Sequence, residues 1–409
     1  MLKKFSIICL SNFFIASVLG LLLRYASIDA LGINYRYFTH AHSHVAMLGW
    51  VYLMLYTFIV FNFTRQNRKK YIRLFWITQI SVLGMLLSFP FQGYGTVSIA
   101  FSTLHILCSY FFVFWVWKDL KNKTGASILM LKSALVFMLI STIGVWSLGP
   151  IIAIYGNGTP YYDIAIQFFL HFQFNGWFLF GVLALLIKEL NIKNSTLFKS
   201  FYLLLTFATI ATIALPIYWY QPSIVLFYLN GLGVFLQLIA VLILFRLIYL
   251  HIKKSKPTWS SLSIFTYAFV LSCIGFKVLT QGLSLIPGLA EELYQYHSLI
   301  IGFIHLVMLG VITGLLFYML LNSFLYHKPV VLKLGFYSFY FGFVTAEFLI
   351  LFQAINYYFW ESGIENYNTL LFVASIFLSL GIFLIALSII FAKPKPQYEL
   401  DFSLSKKVV

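Results

Sequence analysis

The chain has 409 residues, enough for two or three soluble domains, but 61% are hydrophobic, only 9% are charged, and the mean hydropathy is +0.92. That composition excludes a water-soluble surface. The net charge of +16 does not point to nucleic acid, because nearly all Lys and Arg lie in short stretches between apolar runs, where they act as topology signals.

A spanning helix needs about 20 mostly apolar residues, and twelve such stretches are predicted: 5 to 26, 40 to 63, 71 to 91, 95 to 117, 127 to 154, 162 to 187, 198 to 219, 223 to 250, 259 to 285, 295 to 321, 334 to 356 and 368 to 392. The first follows Lys3 and Lys4 and imitates a signal peptide, but its apolar run is too long for one, so it reads as a span. No ten-residue pattern of period two occurs, so the spans are helices rather than barrel strands. The expected fold is all-α: a polytopic membrane domain over residues 1-393 and a short tail over 394-409. Cys9, Cys108 and Cys273 fall in separate apolar segments without metal-ligand spacing, and no C-x-x-C-H site for a c-type haem occurs.

Alternate loops carry the cations. Arg65, Arg68, Lys69, Lys70 and Arg73 follow the second span, Lys118, Lys121 and Lys123 the fourth, and Lys188, Lys193 and Lys199 the sixth. Arg246, Lys253, Lys254 and Lys256 follow the eighth, Lys328 and Lys333 the tenth, and Lys393, Lys395, Lys406 and Lys407 the last. The loops between them, including the acidic Glu291 and Glu292, are poor in basic residues. The positive-inside rule then places both termini in the cytoplasm, as in a multi-pass protein of a bacterial inner membrane.

Seven of nine histidines lie in or at the mouth of even-numbered spans: His40, His42 and His44 in the second, His105 in the fourth, His171 in the sixth, His297 and His305 in the tenth. His251 and His327 fall in basic loops and read as solvated. An ionisable group at membrane depth is costly and faces the bundle interior, and neutral imidazole both tolerates a dry core and ligates haem iron. The alternative for each is an interhelical hydrogen bond. His40 and His44 share a helix face and His42 points away, so His42 reads as a rim residue. His297 and His305 are eight residues, or about 12 Å, apart along a helix, too far to bind one iron, which leaves His297 to an outer metal or propionate site.

Aligned on histidine, three segments share H-x-x-x-x-G: His44 to Gly49, His171 to Gly176 and His305 to Gly310. Nine histidines and 25 glycines give about half a match by chance. The three recur four spans apart, which predicts three four-helix units about a pseudo-threefold axis. Each glycine would let a flat macrocycle or a neighbouring helix approach closely.

This pattern resembles the catalytic subunit of the haem-copper oxidase and nitric oxide reductase superfamily, which also has twelve helices with histidines on the second, sixth and tenth. The stretch Tyr37 to Trp50, with His40, His42 and His44 before Leu48-Gly49-Trp50, has the flavour of that superfamily's haem helices. By position the resemblance implies that His44 and His305 clamp a low-spin haem, b-type given the absent attachment site, and that His40 and His297 belong to the same cofactor region. It departs elsewhere: Phe303 stands at the second haem-ligand position of the tenth span, 198 to 219 lacks the adjacent copper histidines, and Asn175 replaces the residue four after His171. The implied binuclear centre is therefore degenerate, with His171 and His105 left as candidate ligands for copper or non-haem iron. The haem- and copper-containing NnrS family, tied to nitric oxide stress, is a second resemblance.

Lys277 and Glu347 stand inside apolar sequence and read as a buried pair or a proton route. Arg24 and Arg36, with Asp29 nearby, are candidate partners for haem propionates, since guanidinium suits carboxylates. The expected function is electron transfer or nitric oxide or dioxygen chemistry, served by a cytochrome or quinol donor. Two other classes compete: a proton-coupled secondary transporter using the histidines, Lys277 and Glu347, and a non-catalytic haem or metal sensor or assembly factor.

Overall fold

The computed structural model describes residues 1–64, 68–255, 259–286, 297–323, 329–360 and 362–392, and these are helical with no strand. Among them are twelve helices long and apolar enough to cross a membrane: α1 Leu2–Tyr25, α2 Tyr35–Phe63, α3 Arg68–Gln92, α4 Thr96–Asp119, α5 Ala126–Tyr155 and α6 Pro160–Glu189, then α7 Thr196–Tyr218, α8 Ile224–Ser255, α9 Ser261–Leu283, α10 Ser298–Leu321, α11 Val330–Trp360 and α12 Tyr367–Ile390. The protein is thus a multi-pass membrane protein, and each sequence-predicted span is found within a few residues of its expected bounds. The expected tail, the acidic pair Glu291 and Glu292, and His327 lie outside the described residues.

Local chemistry sets several ends. Asn34, Ser195 and Ser260 cap α2, α7 and α9 by accepting the backbone N–H of Tyr37, Phe198 and Ser263. Pro160 opens α6, where a missing N–H is harmless. Pro216 has no N–H to give Thr212, and α7 is interrupted at Thr212 and Ile213.

Each span packs on its neighbours in the chain, and α12 packs back on α1 to close a ring. Inside it α2, α6 and α10 meet one another. Of the most apolar stretch, 83% is buried in α2 and in α6 and 61% in α10, against 50% or less in every other span. Tertiary position explains why these three are apolar on all sides. The outer helices instead present Leu87, Phe91, Phe114, Val225 and Tyr228 outward, the surface a lipid tail requires.

All three inner helices change winding at the same motif position. Val45–Tyr52, Phe172–Phe178 and Leu306–Thr313 are π-helical, and each segment starts at the residue after His44, His171 or His305. Wide turns of this kind free backbone carbonyls and gather at functional sites. Asn12 uses one such carbonyl: its amide donates to the Gly49 oxygen at 2.9 Å and exchanges two hydrogen bonds with Gln79, tying α1, α2 and α3 together. Trp50 donates to Thr313 at 2.9 Å and joins the wide turns of α2 and α10.

The glycines of the repeat serve helix packing rather than a macrocycle. A Cβ at Gly49 would stand 2.9 Å from Val82, one at Gly176 2.6 Å from Phe137, and one at Gly310 2.9 Å from the Cys273 sulfur.

Candidate functional site

His42 and His44 are two residues apart on α2, about 200° around its axis, so they face different compartments. His42 turns toward α1. Its Nδ1 lies 2.8 Å from the Ala16 carbonyl, and a ring nitrogen at that distance from a carbonyl must carry the proton, leaving a lone pair on Nε2. Gly20, one turn further along α1, makes room for the ring: a Cβ there would sit 3.0 Å from His42 Cε1.

The same compartment receives His305 from α10, which lies within electrostatic reach of both His42 and Arg24. Arg24 in turn senses Glu347 of α11, together with Tyr35 and Tyr367. The Glu347 carboxylate fits against Gly302, where a Cβ would be 3.3 Å from Oε2. His42, His305 and Glu347 all lie within electrostatic reach of Arg24, and the four half-buried groups, from four helices, share one region between these spans, the cleft.

The sequence reading pairs His44 with His305; the α2 histidine within electrostatic reach of His305 is His42, expected at the rim. His44 faces α3 and α4 instead. Its Nδ1 lies 2.8 Å from the His40 carbonyl one turn back, its Nε2 lies 3.4 Å from the Tyr94 hydroxyl, and its ring packs on Phe89 at 4.4 Å. His40 packs edge-on to Tyr94 at 4.6 Å with Arg36 in electrostatic reach, which assigns Arg36 to the mouth of this aromatic pocket and Arg24 to the cleft.

His105 forms the floor of the aromatic pocket. It stands nine residues into α4, as His44 stands nine residues into α2, and the two are within electrostatic reach. The imidazole is 3% exposed and packs against Tyr52 at 4.7 Å. Neither the His105 Nε2 nor the Tyr52 hydroxyl has a hydrogen-bond partner among the described residues.

A third compartment lies between α6, α7, α8 and α9. The buried His171 gives its Nε2 proton to the Thr209 carbonyl at 2.7 Å, just before the interruption of α7, and lies in reach of Lys277. Lys277 is 2% exposed and donates to Gln281 at 2.9 Å, with Gln237 bonded to the same oxygen. Its ammonium lies 5.8 Å from the centre of the Phe303 ring, so the residue at the expected second haem-ligand position covers this lysine. Lys277 and Gln237 also line a cavity of about 20 Å³, walled by Leu179, Leu183 and Phe201.

The expected mutual pair of Lys277 and Glu347 does not form. Glu347 answers Arg24, Lys277 answers Gln281, and the ion pair found among the described residues is Lys70 with Asp119 at 3.1 Å. His105 and His171 occupy separate compartments, and among the described residues no three His, Cys, Asp or Glu side chains gather as a metal-holding group. The side chain of His297 lies outside the described residues.

Sequence reasoning missed Ala16 and Gly20, although Ala16-x-x-x-Gly20 is a small-xxx-small pattern marking a close helix contact. Tyr94 and Phe89 carried no signal, because aromatic residues are everywhere in this chain. No family model matches the sequence, and no curated protein matches it.

Proposed function

We propose that the chain is a haem-binding membrane protein of the haem-copper oxidase type, in which His42 and His305 would hold a b-type haem between α1, α2, α10 and α11. The observation that carries this reading is the meeting, in a half-buried cleft at membrane depth, of a tautomer-fixed imidazole on α2 with a second imidazole on α10, beside an arginine. Donation from Nδ1–H to a carbonyl is the outer-shell support that metal-bound histidines use, and it raises the basicity of the other nitrogen. Gly20 keeps the ring in place by leaving it space. Arg24 supplies a planar pair of donors for a propionate, and Glu347 offsets part of its charge. A bound haem supplies one-electron transfer, at a potential set by its axial ligands and the surrounding dielectric.

The recurrence of histidine, wide turn and glycine on the three inner helices supports three four-helix units about a pseudo-threefold axis. The basic loops support cytoplasmic termini in a bacterial inner membrane. A quinol or cytochrome donor, and nitric oxide or dioxygen chemistry, follow from the same resemblance. A copper or non-haem iron ion would use the lone pairs left on His171 Nδ1 or His105 Nε2.

The test is a reduced-minus-oxidised spectrum of the detergent-purified protein. A sharp low-spin b-type band, lost in His42→Ala and in His305→Ala but kept in His44→Ala, supports the proposal. A colourless wild-type protein overturns it. A second reading, a proton-coupled carrier, rests on the buried Lys277 beside His171 and the interrupted α7; it expects a colourless protein whose proton flux in liposomes stops in Lys277→Met.

A further inference from the structure

Trp50 of α2 touches two of the other three helices that build the cleft. Its indole Nε1–H donates to the Thr313 hydroxyl of α10 at 2.9 Å, its ring stacks on Phe13 of α1 at 4.6 Å, and the Phe317 ring of α10 stands 5.7 Å away. Trp50 and Thr313 are 1% and 0% exposed. In such a dry surrounding the hydrogen bond is electrostatically strong, and leaving either group unpaired is costly.

The places of these contacts match those of the cleft. Trp50 stands eight residues after His42, and Thr313 stands eight residues after His305. Both helices are even-numbered spans that run the same way through the bundle, so a bond between the later residues brings the earlier ones to one level. Phe13 lies one turn before Ala16, whose carbonyl orients His42. One side chain thus fixes α2 against the turn of α1 that holds the first imidazole and against the helix that carries the second. Both hydrogen-bond partners also lie in the wide turns, so the bond sets the register of one wide turn on the other. The repeat by itself does not require this bond. Trp177, at the same place after Gly176 on α6, is also fully buried, yet its Nε1 has no hydrogen-bond partner among the described residues. The tie is particular to the two helices whose histidines share the cleft.

We infer that Trp50, acting through Thr313, is a positioning residue that keeps His42 and His305 in register, and so decides whether both imidazoles or one serve as axial ligands. The inference rests on the haem reading above. Two axial imidazoles leave a haem no open position for a gas, and one leaves a position free. Without the Trp50 bond, α10 is held to α2 by packing alone, while His42 stays tied to Ala16. His305 is then the ligand that withdraws.

The experiment uses the full-length protein in detergent, its haem reduced and exposed to carbon monoxide. The spectrum reads the carbon monoxide-reactive share of the haem, and thermal unfolding reads stability. The wild type is expected to be low-spin with a small reactive share. Thr313→Val removes the acceptor at nearly constant shape and should raise the ratio of reactive to unreactive haem about tenfold, roughly 1.4 kcal/mol. Trp50→Phe, which keeps a ring beside Phe13 but has no N–H, should raise it likewise, and Thr313→Ser, which keeps the hydroxyl, should stay at the wild-type level. Tyr56→Phe is the control for stability: it deletes another buried hydrogen bond of α2, to the Tyr71 carbonyl, and should lower the unfolding midpoint with the reactive share unchanged. A low-spin wild type whose reactive share is unaltered in Thr313→Val and Trp50→Phe overturns this inference alone. An equal rise in Tyr56→Phe, or in Thr313→Ser, does the same, because it marks general loosening of the bundle. A colourless wild-type protein overturns the haem reading and this inference with it.

Discussion

The cleft around His42 and the aromatic pocket around His44 are built from the same two turns of α2, yet they hold their imidazoles differently. His42 gives its proton to Ala16 of another helix, whereas His44 gives its proton to His40 of its own. The position of His42 therefore depends on the close packing of α1 on α2, while His44 moves with α2 alone. The surroundings diverge too. Four half-buried ionisable groups from four helices share the cleft, whereas the pocket is walled by Phe89, Tyr94 and Tyr52 and ends in the buried His105. A group held between helices, with a cation and a carboxylate nearby, is equipped to bind a charged cofactor; one held within a helix among rings is first of all packed.

The largest expected effect separates the two compartments directly. His305→Ala should abolish the low-spin haem band of the purified protein, and His105→Ala should leave it in place; equal loss in both would erase the distinction. Next comes Gly20→Val, which puts methyl groups where even a Cβ would be 3.0 Å from the His42 ring. Haem occupancy should fall about tenfold, roughly 1.4 kcal/mol, with the chain still eluting as a folded species.

Asn12→Leu tests the frame shared by both compartments. It removes three hydrogen bonds and leaves the buried Gln79 amide and the Gly49 carbonyl without those partners, a loss of about 1–3 kcal/mol in a denaturation series. Haem and pocket variants should lose stability alike on this background. The smallest effect is expected from Tyr52→Phe, which deletes a hydroxyl with no partner among the described residues. Stability should change by no more than about 0.5 kcal/mol or should rise slightly, since an unpaired buried donor gains nothing from being there; a loss beyond that range would mean the pocket contains a partner for the hydroxyl.

Much of the architecture was written along the chain. Apolar runs long enough to cross hydrocarbon leave the backbone one way to satisfy itself, so twelve helices and their approximate ends follow from composition and length. The histidine and glycine repeat marked the three helices that meet inside the ring, because a residue costly in lipid belongs on a helix shielded from it. What the linear pattern did not contain was direction. Two residues along a helix reverse the face a side chain presents, and whether His42 or His44 joined His305 depended on where α1 packs. Ala16 and Gly20 settle that contact through a carbonyl and a missing side chain, features that acquire meaning only when a second helix stands against them. The fates of Lys277 and Glu347 were decided the same way: two opposite charges suggest a pair in sequence, but interhelical geometry gave one a glutamine and the other an arginine.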